Sequence, residues 1–233
     1  MTTFDPQIKQ SIAKYISIPP LEDSLLIGNR NAINGKEKLT QICVLENWGK
    51  IYQVCKNYEG DKEKKLTYVL YMNPQRAALY EAVFNTKRCQ WERDGQPLPE
   101  GSYDFVITKN WKMLAFNNKD QEAFNAMIKE KNLASKVFFK HTSFTSGGQV
   151  YFSGTAKLEK GLFTWNGRSG HYRPQAIHVS VCKAWLKNQG IINSIYIKSS
   201  KEKVRKNNRR IIETVASFSV YMQKLAKPAA VIL

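Results

Sequence analysis

A chain of 233 residues with 42% hydrophobic side chains holds enough apolar material for one large domain with appendages, which excludes a wholly disordered polymer. Its 36 Lys and Arg against 19 Asp and Glu leave a formal charge of +17 and a pI near 9.7, a balance that attracts polyanions such as nucleic acid, acidic lipid or an acidic protein. No run of about 18 apolar residues occurs, and MTTFDPQIKQ lacks the basic-then-apolar pattern of a secretory leader. A soluble, cytoplasmic protein without Sec export is therefore expected.

The four cysteines, Cys43, Cys55, Cys89 and Cys182, are widely separated and form no C-x-x-C pair, which argues against a zinc ribbon or a thioredoxin-type motif. Reduced, mostly buried thiols are the expectation.

In chain order, Asp5-Pro6 caps a short helix carrying Ile8, Ile12 and Tyr15 that Pro19-Pro20 stops. Leu21 to Lys36, rich in Gly and Asn, reads as a loop to the main body. Ile42, Leu45, Trp48, Tyr52 and Cys55 recur every three or four residues, so Leu39 to Asn57 is read as a helix with Gly49 in its interior. Asn73-Pro74 repeats the cap-plus-Pro signal ahead of a stripe of Ala77, Tyr80, Val83 and Phe84.

Tyr103 to Thr108 and Lys112 to Phe116 alternate apolar residues around Lys109-Asn110-Trp111 and read as a hairpin. Gln121 to Asn132 is expected to be helical through Phe124 and Ile128. Val150 to Lys157 and Leu162 to Trp165 flank Lys160-Gly161 as a second hairpin. Pro174 opens a helix presenting Ile177, Val181, Ala184 and Trp185 on one face, with Gly190 as its stop and Ile191 to Ile197 as a following strand.

The last segment carries Val204, Ile211, Val215, Phe218, Met222 and Leu225 on an amphipathic helix. Seven basic residues between Lys198 and Arg210 face only Glu202, which makes this a basic tail. The fold class expected from these elements is α+β, a mixed, mostly antiparallel sheet flanked by helices, with a basic C-terminal amphipathic helix. Its divisions are 1–35, an N-terminal helix and loop; 36–200, the core; and 201–233, the tail.

The chemistry gathers between Lys140 and Pro174. His141, Thr142, Ser143, Thr145 and Ser146 precede Gly147-Gly148, and Arg168, Ser169, Gly170, His171, Tyr172 and Arg173 precede Pro174. The hairpin between them returns the chain so that the two clusters meet. Two imidazoles, hydroxyls, a phenol and guanidinium donors are suited to a phosphorylated or sugar-bearing ligand. His141, His171 and Tyr172 are the candidate catalytic groups. Thr142, Ser143, Ser146, Gly147, Gly148, Arg168, Ser169, Gly170 and Arg173 are the candidate ligand-binding residues. Histidines at strand ends are also commonly structural, which is the plainer alternative for either one alone.

The clustered glycines Gly147, Gly148 and Gly170 are expected at positive φ or close backbone approaches. A G-x-S-x-G elbow, a Walker A loop and a dinucleotide fingerprint are all missing. No Asp, Glu or Cys lies at ligand spacing from the His pair, so no metal site is expected, and His178 is read as facing solvent.

The runs YMNPQRAALYEAVFNTKRCQWERDGQPL, YDFVITKNWKMLAF, HTSFTSGGQVYFSGTAKLEKG and SGHYRP, in that order, resemble the core of the plant IQM-type calmodulin-binding proteins. Similar modules occur in bacterial effectors and toxin-like proteins, and the likeness spans roughly Lys36 to Ser200. The matching positions are His141, Ser143, Phe144, Gly147, Gly148, Gly154, Ser169, Gly170, His171, Tyr172 and Pro174. The chain departs from the plant pattern in lacking an I-Q-x-x-x-R-G-like run before the core. Phe152-Ser153-Gly154 also replaces the plant-type Ala-Ala-Gly.

The resemblance implies an effector-like intracellular factor, including one translocated into a host cell without a Sec leader. A strand-borne His-Thr-Ser with a later Tyr is also similar to the NAD grip of some ADP-ribosyltransferases, which makes NAD the cofactor to try. Such chemistry would call on a carboxylate, for which the sequence offers Glu159, in the hairpin turn, and Glu213. The alternative is a noncatalytic module for an acidic protein partner such as calmodulin, an anionic membrane or nucleic acid, engaged through the basic tail.

Overall fold

The computed structural model describes residues 25–29, 37–56, 66–130, 137–191 and 194–197. The helix expected from Asp5 and the basic tail after Ser200 lie outside them. Among the described residues no helix is long and apolar enough to cross a membrane.

The chain is mixed α/β, built on two mostly antiparallel sheets where one was expected. The smaller sheet has the order β1-β2-β3-β9, with β1 Glu37–Leu45, β2 Gly49–Lys56, β3 Leu66–Met72 and β9 Val137–Phe138. The larger contains β4 Glu81–Asn85, β5 Gln90–Arg93, β6 Gln96–Pro97, β7 Gly101–Thr108, β8 Met113–Asn117, β10 Val150–Glu159, β11 Leu162–Asn166 and β12 Ser194–Tyr196. Its order is β12-β11-β10-β7-β8-β4-β5-β6. Among the described residues three helices accompany them: α1 Pro74–Ala78, α2 Asn118–Glu130 and α3 Ala176–Asn188.

Strand alternation in β7, and in β10 a bulge between Val150 and Phe152, divide the core in two. Phe105, Ile107, Phe152 and Ala156 point to one face, where Val181, Cys182, Trp185 and Leu186 of α3 cover them. Val106 and Val150 point to the other, joining Ile51, Leu70 and Met72 of the small sheet and Phe124 and Ile128 of α2. The large sheet is thus the middle layer, and its central strands β7, β8 and β10 carry buried residues on both faces.

Both expected hairpins form. β7 pairs with β8 across a turn closed by Thr108 N to Lys112 O at 2.9 Å. β10 pairs with β11 around Lys160 (φ 49°) and Gly161 (φ 75°), the two consecutive positive φ values that a tight primed turn requires. α3 buries Val181 and Trp185 as the sequence spacing predicts, and Gly190 at φ 78° follows its end.

Three expectations fail. The helix expected over Leu39 to Asn57 is, through Lys56, the strands β1 and β2, paired antiparallel with a bulge between Gln41 and Cys43. Gly49, at φ 139°, abuts β3 so closely that a Cβ would meet Tyr71 O at 2.0 Å, a close approach only a turn glycine provides. The apolar residues recurring at three and four there are a coincidence of two strands separated by a turn. The helix after Asn73 stops at Ala78, because Glu81 and Ala82 pair with Leu114 and Met113 of β8; Val83 and Phe84 therefore belong to a strand. Finally, part of the expected linking loop belongs to the core. Leu25 and Ile27 are buried, and Ile27 pairs with Val150 through N–H to O contacts of 2.7 and 3.1 Å.

Candidate functional site

His141–Ser143 form a single 3-10 turn between β9 and β10, not the strand expected of them. Ser143 makes the turn: its Oγ accepts from Lys140 N at 3.0 Å while its own N–H donates to Lys140 O at 2.8 Å. Such local side-chain bonds compete with strand pairing. Thr142 and Ser143 are buried, and Thr142 O accepts Gly147 N–H at 2.9 Å.

The following loop is fastened to the end of β3. Ser146, at φ 50°, donates its Oγ hydrogen to Met72 O at 2.7 Å. Gly147, at φ 80°, lies against the Tyr71 ring, and a Cβ on Gly148 would come within 2.9 Å of Thr145 O. These two glycines meet their expectation. Gly170 does not: its φ is not positive and a Cβ there would enter open space, so it is an ordinary exposed loop position.

In the second motif, Ser169 O accepts Arg173 N–H at 3.1 Å, and Ser169 Oγ accepts Tyr172 N–H at a long 3.4 Å. Arg173, at φ 50°, folds back so that Nε donates to Gly170 O at 3.0 Å. Arg168 is exposed, its N–H held by Asn166 Oδ1 at 2.8 Å. His178, expected at solvent, is buried, and its Nδ1 accepts Gln175 N–H at 2.9 Å in the first turn of α3.

One hydrogen-bonded contact and one electrostatic interaction link the motifs. Tyr172, fully buried, donates its hydroxyl to Gly148 O at 2.7 Å and lies 2.9 Å from Thr145 Oγ1. Burial pushes its phenol well above the ordinary range, against the Thr145 hydrogen bond, so it stays protonated and a donor. A ring so enclosed fastens the two segments and has no face free to stack on a ligand.

The electrostatic interaction is between the imidazoles of His141 and His171. His141 Nε2 lies 2.9 Å from Gly154 O; a carbonyl only accepts, so Nε2 carries the hydrogen and Nδ1 the lone pair. Asp104 Oδ1 is 3.7 Å from the same Nε2. Burial lowers the His141 pKa below the usual imidazole value; Asp104 and the Gly154 carbonyl raise it, while the charges of His171 and Lys140 lower it. Burial thus keeps the imidazole neutral, with its lone pair at Nδ1, and at the same time makes it a weaker base than an exposed histidine.

Asp104 and Ser153 were not singled out from sequence. Asp104 is the lone acid in Tyr103 to Thr108, and its strand neighbour across β10 is Thr155. Ser153, two positions before Thr155 and so on the same face, is fully buried with no hydrogen-bond partner for Oγ. An acid interrupting an apolar strand was the available signal. Glu159, the carboxylate named from sequence, is exposed and pairs with Lys157 Nζ at 2.6 Å; Glu213 lies outside the described residues. Gly154 has its own reason: a Cβ there would meet Asn166 O at 2.0 Å.

Comparison of the chain with protein-family models, curated proteins and solved structures gave no match.

Proposed function

We propose that this domain binds a small polar ligand of the nucleotide or sugar-phosphate class at the seam between the His141 turn and the Arg168 to Arg173 loop. His141 is the proton acceptor of the site. The observation that carries the reading is the state of His141: tautomer fixed by Gly154, Asp104 at 3.7 Å, and burial favouring the neutral base. His171 and the exposed Arg168 supply further donors at the rim, and Tyr172 holds the two loops in register.

Group transfer from such a ligand, of the ADP-ribosyltransferase kind with NAD as donor, is the enzymatic form of the proposal. Asp104 then takes the part of the carboxylate. The resemblance to the IQM-type core adds the expectation of an effector-like, cytoplasmic factor that meets a host or acidic protein.

The charge of +17 supports a second reading, a noncatalytic module for calmodulin, an anionic membrane or nucleic acid. A thermal-shift screen of nucleotides, nicotinamide dinucleotides and sugar phosphates separates the two. The first reading expects stabilisation by one class that His141→Gln abolishes. If no small molecule in the screen stabilises the fold, while calmodulin, anionic vesicles or nucleic acid does so in a salt-sensitive way, the second stands and the first is withdrawn.

A further inference from the structure

A second polar constellation lies where the β1–β2 turn meets α1. Trp48, half-buried in that turn, accepts Asn73 N–H on its carbonyl at 2.8 Å. The Asn73 side chain in turn caps α1 by accepting Arg76 N–H at 2.7 Å. One residue thus positions both partners, and the Arg76 guanidinium carbon stands 3.4 Å from the centroid of the Trp48 ring. Beyond it Tyr80 is flanked by two cations, Arg76 at 5.9 Å and Arg93 at 5.1 Å from its centroid.

The charges do not balance. Arg93 is committed, with Nη1 3.0 Å from Asp120 Oδ1 and Nη2 donating to Ala115 O at 2.6 Å. Arg76 has no carboxylate within ion-pair distance among the described residues, and its Nε is buried without an acceptor. A buried charged donor with no acceptor is costly, and the usual resolution is a bound ion or ligand. Stacking on an indole covers the guanidinium face and fixes its plane, and a side-chain hydrogen bond to Tyr80 orients part of the N–H edge while Nε keeps no acceptor.

We propose that Arg76, clamped on Trp48, is a binding site for a phosphate group. The planar fork matches two oxygens of a phosphate, and the surplus charge beside Tyr80 holds the anion in a half-buried position where screening is weak. The site stands apart from the His141 reading and does not depend on it.

The test is a titration of the full chain, 15N-labelled at tryptophan, with inorganic phosphate at constant ionic strength set with chloride. Five indole N–H signals are expected from the five tryptophans, and Trp48→Phe assigns the one concerned. The Trp48 signal should shift and saturate, with the other four little changed. Arg76→Gln should weaken binding at least tenfold, and Arg76→Lys, which keeps charge but loses the fork, should fall between. Arg88→Gln, an exposed arginine elsewhere, should titrate like the parent. A Trp48 signal that does not saturate with phosphate overturns the proposal, as does an affinity that Arg76→Lys leaves unchanged. The parent titration decides the matter even if Arg76→Gln fails to fold.

Discussion

Replacing Tyr172 by Phe separates a fastening from a ligand contact. The ring stays buried in the same space, so the apolar contribution is kept and only the hydroxyl is lost. Three short contacts converge there: Tyr172 OH to Gly148 O at 2.7 Å, Thr145 Oγ1 to Tyr172 OH at 2.9 Å, and Thr145 Oγ1 to Gly148 O at 3.1 Å. Two hydroxyl hydrogens serve these three contacts, so two bonds are made at once. Without the phenol hydrogen, Thr145 still donates to Gly148 O and no buried carbonyl is left unpaired. The expected cost is therefore one ordinary hydrogen bond, about 0.5–1.5 kcal/mol. For a domain of this size that is roughly 1–6 °C in Tm. Urea unfolding followed by tryptophan fluorescence should show a lower midpoint with an unchanged slope. Thr145→Val should cost a similar amount, and the double variant more than the sum by about 0.5–1 kcal/mol, because either hydroxyl alone still serves Gly148 O and only the double variant removes both donors. A Tyr172→Phe protein as stable as the parent that nevertheless loses its ligand response would refute the reasoning and return the phenol to the site.

Four further outcomes are expected. Because burial lowers the His141 pKa, the unfolded chain binds the proton more tightly; its stabilising contribution is complete above the unfolded value near 6.5 and is lost as pH falls from there toward the lower folded value. Urea midpoints between pH 5 and 8 should show that decline in the parent and a flatter profile in His141→Gln. Gly154→Ala places a methyl 2.0 Å from Asn166 O and should cost about 1–3 kcal/mol, whereas Gly170→Ala should stay within about 0.5 kcal/mol, both read by thermal melts. In the native protein a thiol reagent should modify exposed Cys89 promptly and spare Cys182, whose thiol burial pushes well up; equal rates would contradict the packing of α3. Reversing Lys201, Lys203, Arg205, Lys206, Arg209 and Arg210, outside the described residues, should abolish salt-sensitive binding to anionic vesicles or nucleic acid. A variant that binds as before would move that contact elsewhere.

What was legible in the sequence followed from local chemistry. Lys160-Gly161 demands consecutive positive φ and so declares its hairpin; Phe124 with Ile128, and Val181 with Trp185, sit at helical spacing and bury as such. The failures share one cause, strand pairing that only tertiary structure reveals. Nothing local distinguishes Val83 and Phe84 from a continuing helix until Glu81 and Ala82 meet β8, and nothing marks Ile42 to Cys55 as two strands until Gly49 meets Tyr71 O. Within the site, residue types signalled polarity but not its use. Ser143 and Ser146 advertise ligand hydroxyls and are both bonded to backbone, while Asp104 stays unremarked in an apolar strand.

That use of the hydroxyls decides which chemistry the seam can support. A ribose-gripping site needs hydroxyls and an aromatic face turned toward the ligand, yet Ser143, Ser146 and Tyr172 all point their hydrogen bonds into the protein's own backbone. What remains is basic: the Nδ1 lone pair of His141, the neighbouring His171, and Arg168 at the rim, with Asp104 behind Nε2. The backbone fastened around the imidazole fixes its tautomer, and burial keeps it neutral, the state that the proposed proton acceptance starts from. The proton-accepting role of His141 is therefore the part of the functional proposal that rests most directly on geometry, and the NAD-linked form is the part that a ligand screen must supply.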